Sequence, residues 1–170
     1  MNYDTAFKLL IGHEGGFTDN RSDPGNWTGG KVGVGVNKGT KYGIASNSYP
    51  NLDIKNLTLN QAKAIYKRDY WNKVKGDELP QELAFHVFDM AVNSGISRGI
   101  KLLQKTVGTN QDGLIGPATL AAVKKMDSHK AVLLYNAHRL QFYTSLSTFS
   151  TFGKGWVNRV ANNLKLDGEN

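Results

Sequence analysis

Between Pro80 and Gly95 the chain is apolar on most of a helical circumference, with Leu83, Ala84, Val87, Phe88, Ala91 and Val92 falling on several faces at once. A helix of that kind must be surrounded by other elements, so the remaining chain has to supply helices to cover it. The signals for those helices are present. Thr58-Leu59-Asn60-Gln61 reads as a capping box that opens a helix running to Tyr70-Trp71. Pro80 predicts the first turn of the apolar helix, and Ser97 and Ser128 predict the starts of two more. Asp112-Gly113-Leu114-Ile115-Gly116 forms a turn into a short helix at Pro117, and a last helix spans roughly 155–166. The Ser/Thr-rich stretch 144–151 reads as a loop and the polar tail 167–170 as a frayed end. Near the N-terminus, Asn2 or Asp4 caps a helix carrying Phe7, Leu10 and Ile11, which runs to about residue 14. Between the first two helices, glycines alternate with valines from Gly29 to Ile44, which predicts a small β-hairpin or wing. The fold class is mainly α, an α+β chain with one small β element. Residues 1–170 read as one domain, with a half containing the wing (1–85) and a helical half (86–170).

The 170 residues suffice for one domain with a real core. No apolar run is long enough for a transmembrane helix, and no signal segment is visible at Met1-Asn2-Tyr3-Asp4. The absence of cysteine excludes disulfides and thiolate metal sites. A formal charge of +7 favours anionic partners. No nucleic-acid motif accompanies that charge, so nucleic acid is not expected as a partner, and the chain is expected to be a monomer. His13, His86, His129 and His138 form no HExxH or i, i+4 pair, so no metal is expected, and no other cofactor is implied. No GxSxG elbow occurs, and Gly33-Val34-Gly35 lacks the spacing of a nucleotide-binding loop.

The candidate chemistry lies in Gly12-His13-Glu14-Gly15-Gly16-Phe17. If the first helix continues to residue 14, Glu14 shares the face of Phe7 and Leu10. Burial and the negative helix end then both raise its pKa, which suits a general acid. Asp23 follows nine residues later, across a loop ending in Pro24-Gly25. Two carboxylates in unlike surroundings are the equipment of glycoside hydrolysis, with Asp19 a rival for the second position. Thr40, before Lys41-Tyr42-Gly43-Ile44, offers a hydroxyl to hold a water. Aromatic side chains around the cleft, Trp27 and Tyr42 among them, suit stacking on sugar rings.

These residues resemble the glycoside hydrolase family 108 muramidases. His-Glu-Gly-Gly-Phe at 13–17, Asp23-Pro24-Gly25 and Thr40-Lys41-Tyr42-Gly43-Ile44 look like that family's N-terminal half. Phe88 to Gly95, Leu102-Leu103-Gln104 and Asp112 to Pro117 look like its peptidoglycan-binding second half. The resemblance implies a lysozyme-like fold and cleavage of the β-1,4 bond between N-acetylmuramic acid and N-acetylglucosamine, with Glu14 as catalytic acid. It makes bacterial peptidoglycan the partner; Tyr42 and Trp27 from the aromatic set, together with Asn93, are the expected substrate-binding residues. A looser similarity to phage-type lysozymes matches the order Glu14, Asp23, Thr40, although Thr40 comes later here, after a longer Gly-rich insertion. Many family members are phage endolysins, which implies accumulation in the host cytoplasm and action on the wall. A lytic transglycosylase, which needs only one Glu, remains an alternative. So does a non-catalytic protein that binds the wall or an anionic membrane surface. Whether hydrolysis inverts or retains depends on a carboxyl separation that is open at this point.

Overall fold

The computed structural model describes residues 1–12 and 16–169. Among them are seven α-helices and one three-stranded antiparallel sheet, the mainly α, lysozyme-like class expected. The chain divides into two compact units: Asp4–Arg68, and Asp69–Asn170 together with Met1–Tyr3.

The first unit begins in α1 (Tyr3–Ile11). Ala6 and Phe7 are buried, and the Phe7 ring lies 5.8 Å from that of Tyr66. The helix ends at Ile11, earlier than the apolar spacing predicts, because Gly12 turns left-handed at φ +54°. The sheet consists of β1 (Phe17–Thr18), β2 (Thr40–Lys41) and β3 (Ile44–Ala45) in that order, with Thr40 opposite both Thr18 and Ala45. Tyr42 and Gly43 join β2 to β3 with φ of 52° and 74°, the two positive values of a type I′ hairpin turn. The Tyr66 hydroxyl donates to the Tyr42 carbonyl at 2.9 Å and holds that turn.

The hairpin therefore sits at 40–45, at the end of the predicted wing. From 29 to 39 the chain makes a looped excursion without strands. Backbone bonds from Thr28 N to Val36 O and from Gly29 N to Val34 O begin a ladder, and Trp27 bridges Asn37. Gly30, Gly33, Gly35 and Gly39 all take positive φ and break the extended run. Val32, Val34 and Val36 consequently point to solvent. Next, α2 (Leu59–Tyr66) opens on the predicted capping box: Gln61 N donates to Thr58 Oγ1, and Thr58 N to Gln61 Oε1. It continues as a π-helical turn over Lys67–Trp71.

The second unit is built on α3 (Gln81–Ser94), which buries every residue from Leu83 to Ala91. Pro80 stands just outside as the N-cap rather than in the first turn. The Trp71 ring packs edge-on against Phe88 and beside Tyr3. α4 (Ile96–Val107) follows Gly95 directly, so Ser97 lies inside the helix and does not cap it. Gly99 permits close approach, since a Cβ there would lie 3.2 Å from the Ala91 nitrogen. Gln104 is buried and organises the Asp112–Gly116 turn. Its Nε2 donates to Asp112 Oδ1 at 2.8 Å and to the Leu114 carbonyl at 3.0 Å, while its Oε1 accepts from Gly113 N. α5 (Pro117–Lys125) then begins at Pro117 as predicted.

Asp127 rather than Ser128 caps α6 (Ser128–Thr144), accepting from Lys130 N. α7 (Phe149–Gly168) starts well before the predicted 155. Tertiary packing outweighs the poor helix propensity of Ser, Thr and Gly here. Phe149 lies against Gly153, and Phe149, Phe152 and Tyr143 surround Trp156. The end of α7 is also tied down, because Asp167 meets the buried His86 ring, whose other nitrogen contacts the Asn136 amide.

Candidate functional site

In the first unit the sequence candidates converge on a short 3₁₀ turn, Pro24–Asn26. Asp23 is its N-cap, with Oδ1 accepting from Gly25 N at 2.9 Å. The residue is exposed, and its second oxygen has no partner among the described residues. Asn26 is fully buried and acts as the hub. Its Nδ2 donates to the Asn20 carbonyl at 3.0 Å, which fixes the amide so that Oδ1 faces Thr40. Thr40 Oγ1 donates to that Oδ1 at 2.6 Å. The Asn26 carbonyl accepts from Ser46 Oγ at 2.6 Å and from the Lys38 and Gly39 amides. One turn thus anchors the Asp23 carboxylate at one end and the Thr40 hydroxyl at the other.

Asn26 did not stand out in the sequence because Pro-Gly-Asn reads equally well as a turn. Its burial follows from donors that come from 12 to 20 residues downstream, and no local pattern carries that information.

The other candidates are distributed as follows. Trp27 is buried; its indole N–H donates to the Arg21 carbonyl, and the Arg21 guanidinium covers its ring at 5.4 Å. It closes the loop and does not offer a free face. Tyr42 is partly exposed on the hairpin turn, with the Lys41 ammonium 5.4 Å from its ring centre. Asp19 lines a cleft of about 480 Å³ with Phe17, Asn37, Lys38, Asp53 and Lys55. Asn37 Nδ2 donates to the Asp19 carbonyl, while its buried Oδ1 lacks a partner among the described residues. Glu14 lies outside the described residues, as does His13.

Asn93 belongs to the second unit, on α3. Its Oδ1 accepts from the Tyr143 hydroxyl at 2.5 Å and from Ser94 Oγ at 3.0 Å. Tyr143 in turn accepts from Arg139 Nε, and Arg139 Nη2 donates to Asp89 Oδ2 at 2.8 Å. Arg159 donates to both Asp89 oxygens, and Asn163 Nδ2 donates to Oδ2. Burial alone would push the Asp89 carboxyl up, but Arg139 and Arg159 outweigh it and hold it below the usual carboxylate range. Burial works against the Arg139 charge, and Asp89 outweighs that too, so the guanidinium is held above its usual value. Neither Asp89 nor Arg159 is among the residues that the sequence pattern singles out. The signal available was an acidic residue in the middle of an all-round apolar helix, which demands a buried cation.

Residues 7–95 match the family model of glycosyl hydrolase 108, and residues 98–161 match that of a predicted peptidoglycan domain. The chain belongs to the glycosyl hydrolase 108 family. Among solved structures it is similar to SagA of Brucella abortus, with 38% identity over 95% of this chain and 90% of that one and a TM-score of 0.78. No curated protein sequence matches. The protein is accordingly a glycoside hydrolase that acts on peptidoglycan.

Proposed function

We propose that the chain is a muramidase that cleaves the β-1,4 bond from N-acetylmuramic acid to N-acetylglucosamine, and that it serves as a phage endolysin. The observation that carries the reading is the pairing of Asp23 and Thr40 on the Asn26 turn, inside the segment that matches the hydrolase family. Glu14 gives its proton to the glycosidic oxygen as the bond to the anomeric carbon breaks. The Thr40 hydroxyl has committed its hydrogen to Asn26, so toward a water it is an acceptor only. A water donating to Thr40 presents a lone pair to the anomeric carbon. The free Asp23 oxygen takes the water's remaining proton as the new C–O bond forms. Tyr42 and Asn93 contribute substrate contacts. Trp27 acts on the substrate only through the shape of the loop it closes. In a lysing host the protein accumulates in the cytoplasm before it reaches the wall.

The test is turbidity loss of purified walls by wild type and Glu14→Gln, with mass analysis of borohydride-reduced products. The substitution lowers the rate on the order of 10²–10⁴-fold. Products gain one water per cut and carry muramitol at the reduced end. An anhydro sugar end identifies a transglycosylase instead, and a glucosaminitol end a glucosaminidase. Full activity in Glu14→Gln would refute the assignment of the acid.

A further inference from the structure

In the second unit, α4 and α6 enclose a groove of about 380 Å³. Arg98, Lys101, Leu102 and Lys105 line it from α4 at i, i+3, i+4 and i+7, a single helical face. His138, Gln141 and Phe142 line it from α6, and Ser145 from its C-cap, with the same spacing. Three permanent cations and a histidine therefore meet in one groove, and no carboxylate lines it. Among the described residues none of the three cations has an ion pair. The Arg98 guanidinium instead lies 5.3 Å from the Phe142 ring centre, and among the described residues the buried His138 Nδ1 has no partner. Such a concentration of like charge is unfavourable by itself and becomes favourable when an anion enters. The floor, by contrast, is apolar, formed by Leu102 and Phe142.

The geometry points to this groove as a binding site for the carboxylate-bearing peptide stems of peptidoglycan. This inference rests on the wall being the substrate. A stem peptide carries free carboxylates together with alanyl methyl groups, which match the cationic rim and the apolar floor. A bare phosphate would use the cations and leave Leu102 and Phe142 unused. Arg98 and Phe142 together form a clamp in which the guanidinium is already oriented by the ring and can take a carboxylate with two parallel N–H bonds.

The experiment measures co-sedimentation with walls in the Glu14→Gln background. Arg98→Gln/Lys101→Gln/Lys105→Gln is compared with Lys124→Gln/Lys125→Gln/Lys130→Gln, an equal charge change on exposed residues elsewhere in the unit. The groove triple should bind intact walls about tenfold more weakly, the sum expected of three partly exposed ion pairs, with an unchanged melting temperature. The control triple should stay within about twofold, since distant exposed charges are screened. Walls stripped of stems by an amidase, or with carboxylates converted to amides, should bind wild type as weakly as intact walls bind the groove triple. Equal losses in both triples would overturn the proposal, as would undiminished binding to stripped or amidated walls. Calorimetric titration with a soluble stem tripeptide provides a readout independent of wall digestion. A groove that binds inorganic phosphate as well as the tripeptide is a phosphate site, which also overturns it. If wild type fails to degrade walls yet binds the tripeptide, the muramidase reading falls and the groove assignment stands.

Discussion

Replacing Asp89 by Asn tests how the second unit is held together. The Asp89 side chain is 3% exposed, against 0% for Arg139 and 35% for Arg159. Its two oxygens accept bonds from Arg139, Arg159 and Asn163, all of them donors. An amide in that place removes the carboxylate charge that Arg139 and Arg159 share and aims an N–H at a guanidinium. Breaking a buried pair from one side costs about 3–5 kcal/mol, because the remaining charge stays buried and unpaired. For a chain of this length that corresponds to a melting temperature lower by about 6–20 °C. The pH dependence supplies a second check. The folded-state pKa of Asp89 lies below its unfolded value, so the folded protein binds this proton less tightly. Its contribution is fully present above the unfolded value, about 3.9, and is lost as pH falls through the lower folded value. The difference in urea stability between wild type and Asp89→Asn is therefore constant from neutral pH down to about pH 4 and narrows below it. A difference under about 1 kcal/mol at pH 7, or one that stays constant to pH 2, would refute the reasoning.

The Asp23 cap allows structure and chemistry to be separated by two substitutions. Asp23→Asn keeps an oxygen for the Gly25 amide and removes the charge, so thermal stability holds while wall turnover falls on the order of 10²-fold. Asp23→Ala loses both and is less stable by about 1 kcal/mol as well; unchanged turnover in Asp23→Asn would remove this carboxylate from the mechanism. At the hairpin, Gly43→Ala places a Cβ 2.5 Å from the Tyr66 hydroxyl, at a φ of 74°. It should cost more in urea denaturation than Gly33→Ala, which has the same left-handed conformation but nothing within 4 Å and loses only about 1–2 kcal/mol. Equal losses would mean that the Tyr66 bond contributes nothing to the turn.

The parts of the fold that were legible in the sequence are those whose causes are local. Thr58 and Gln61 satisfy each other across one turn, so four letters suffice to place α2. The burial of α3 follows from its apolar circumference alone. Local signals failed where a distant partner decided the outcome. Phe149 begins α7 in a Ser/Thr-rich stretch because Gly153 and Trp156 receive its ring. Asp167 does not fray because His86, on another helix, is there to meet it. The Gly/Val alternation had the period of a strand, but its glycines were used for left-handed turns, and period alone cannot distinguish a Gly that relaxes a strand from one that ends it. At the site, Asp23 and Thr40 were found as chemistry-bearing residue types, whereas Asn26, which connects them, was not.

The distribution of charge in the second unit separates structure from binding more sharply than residue type does. Arg139 and Arg159 are committed to Asp89, so their charge is neutralised in part and adds little to the field outside. Arg98, Lys101 and Lys105 have no such partner among the described residues, and all three are exposed. A net charge of +7 treats these cations alike, although only some of them are free to act outside the fold. Coulomb energy falls with both distance and dielectric, so paired interior cations hardly attract a wall, while three unpaired ones in a shared groove concentrate their attraction at one place. Salt should discriminate between the two sets. Raising ionic strength from about 0.1 M to 1 M shortens the screening length from about 10 Å to about 3 Å. Wall binding through the α4–α6 groove should weaken steeply over that range, while urea stability, which depends on the buried Asp89 cluster, should hardly change. A stability that fell in step with wall binding would mean that the two sets of cations are not independent.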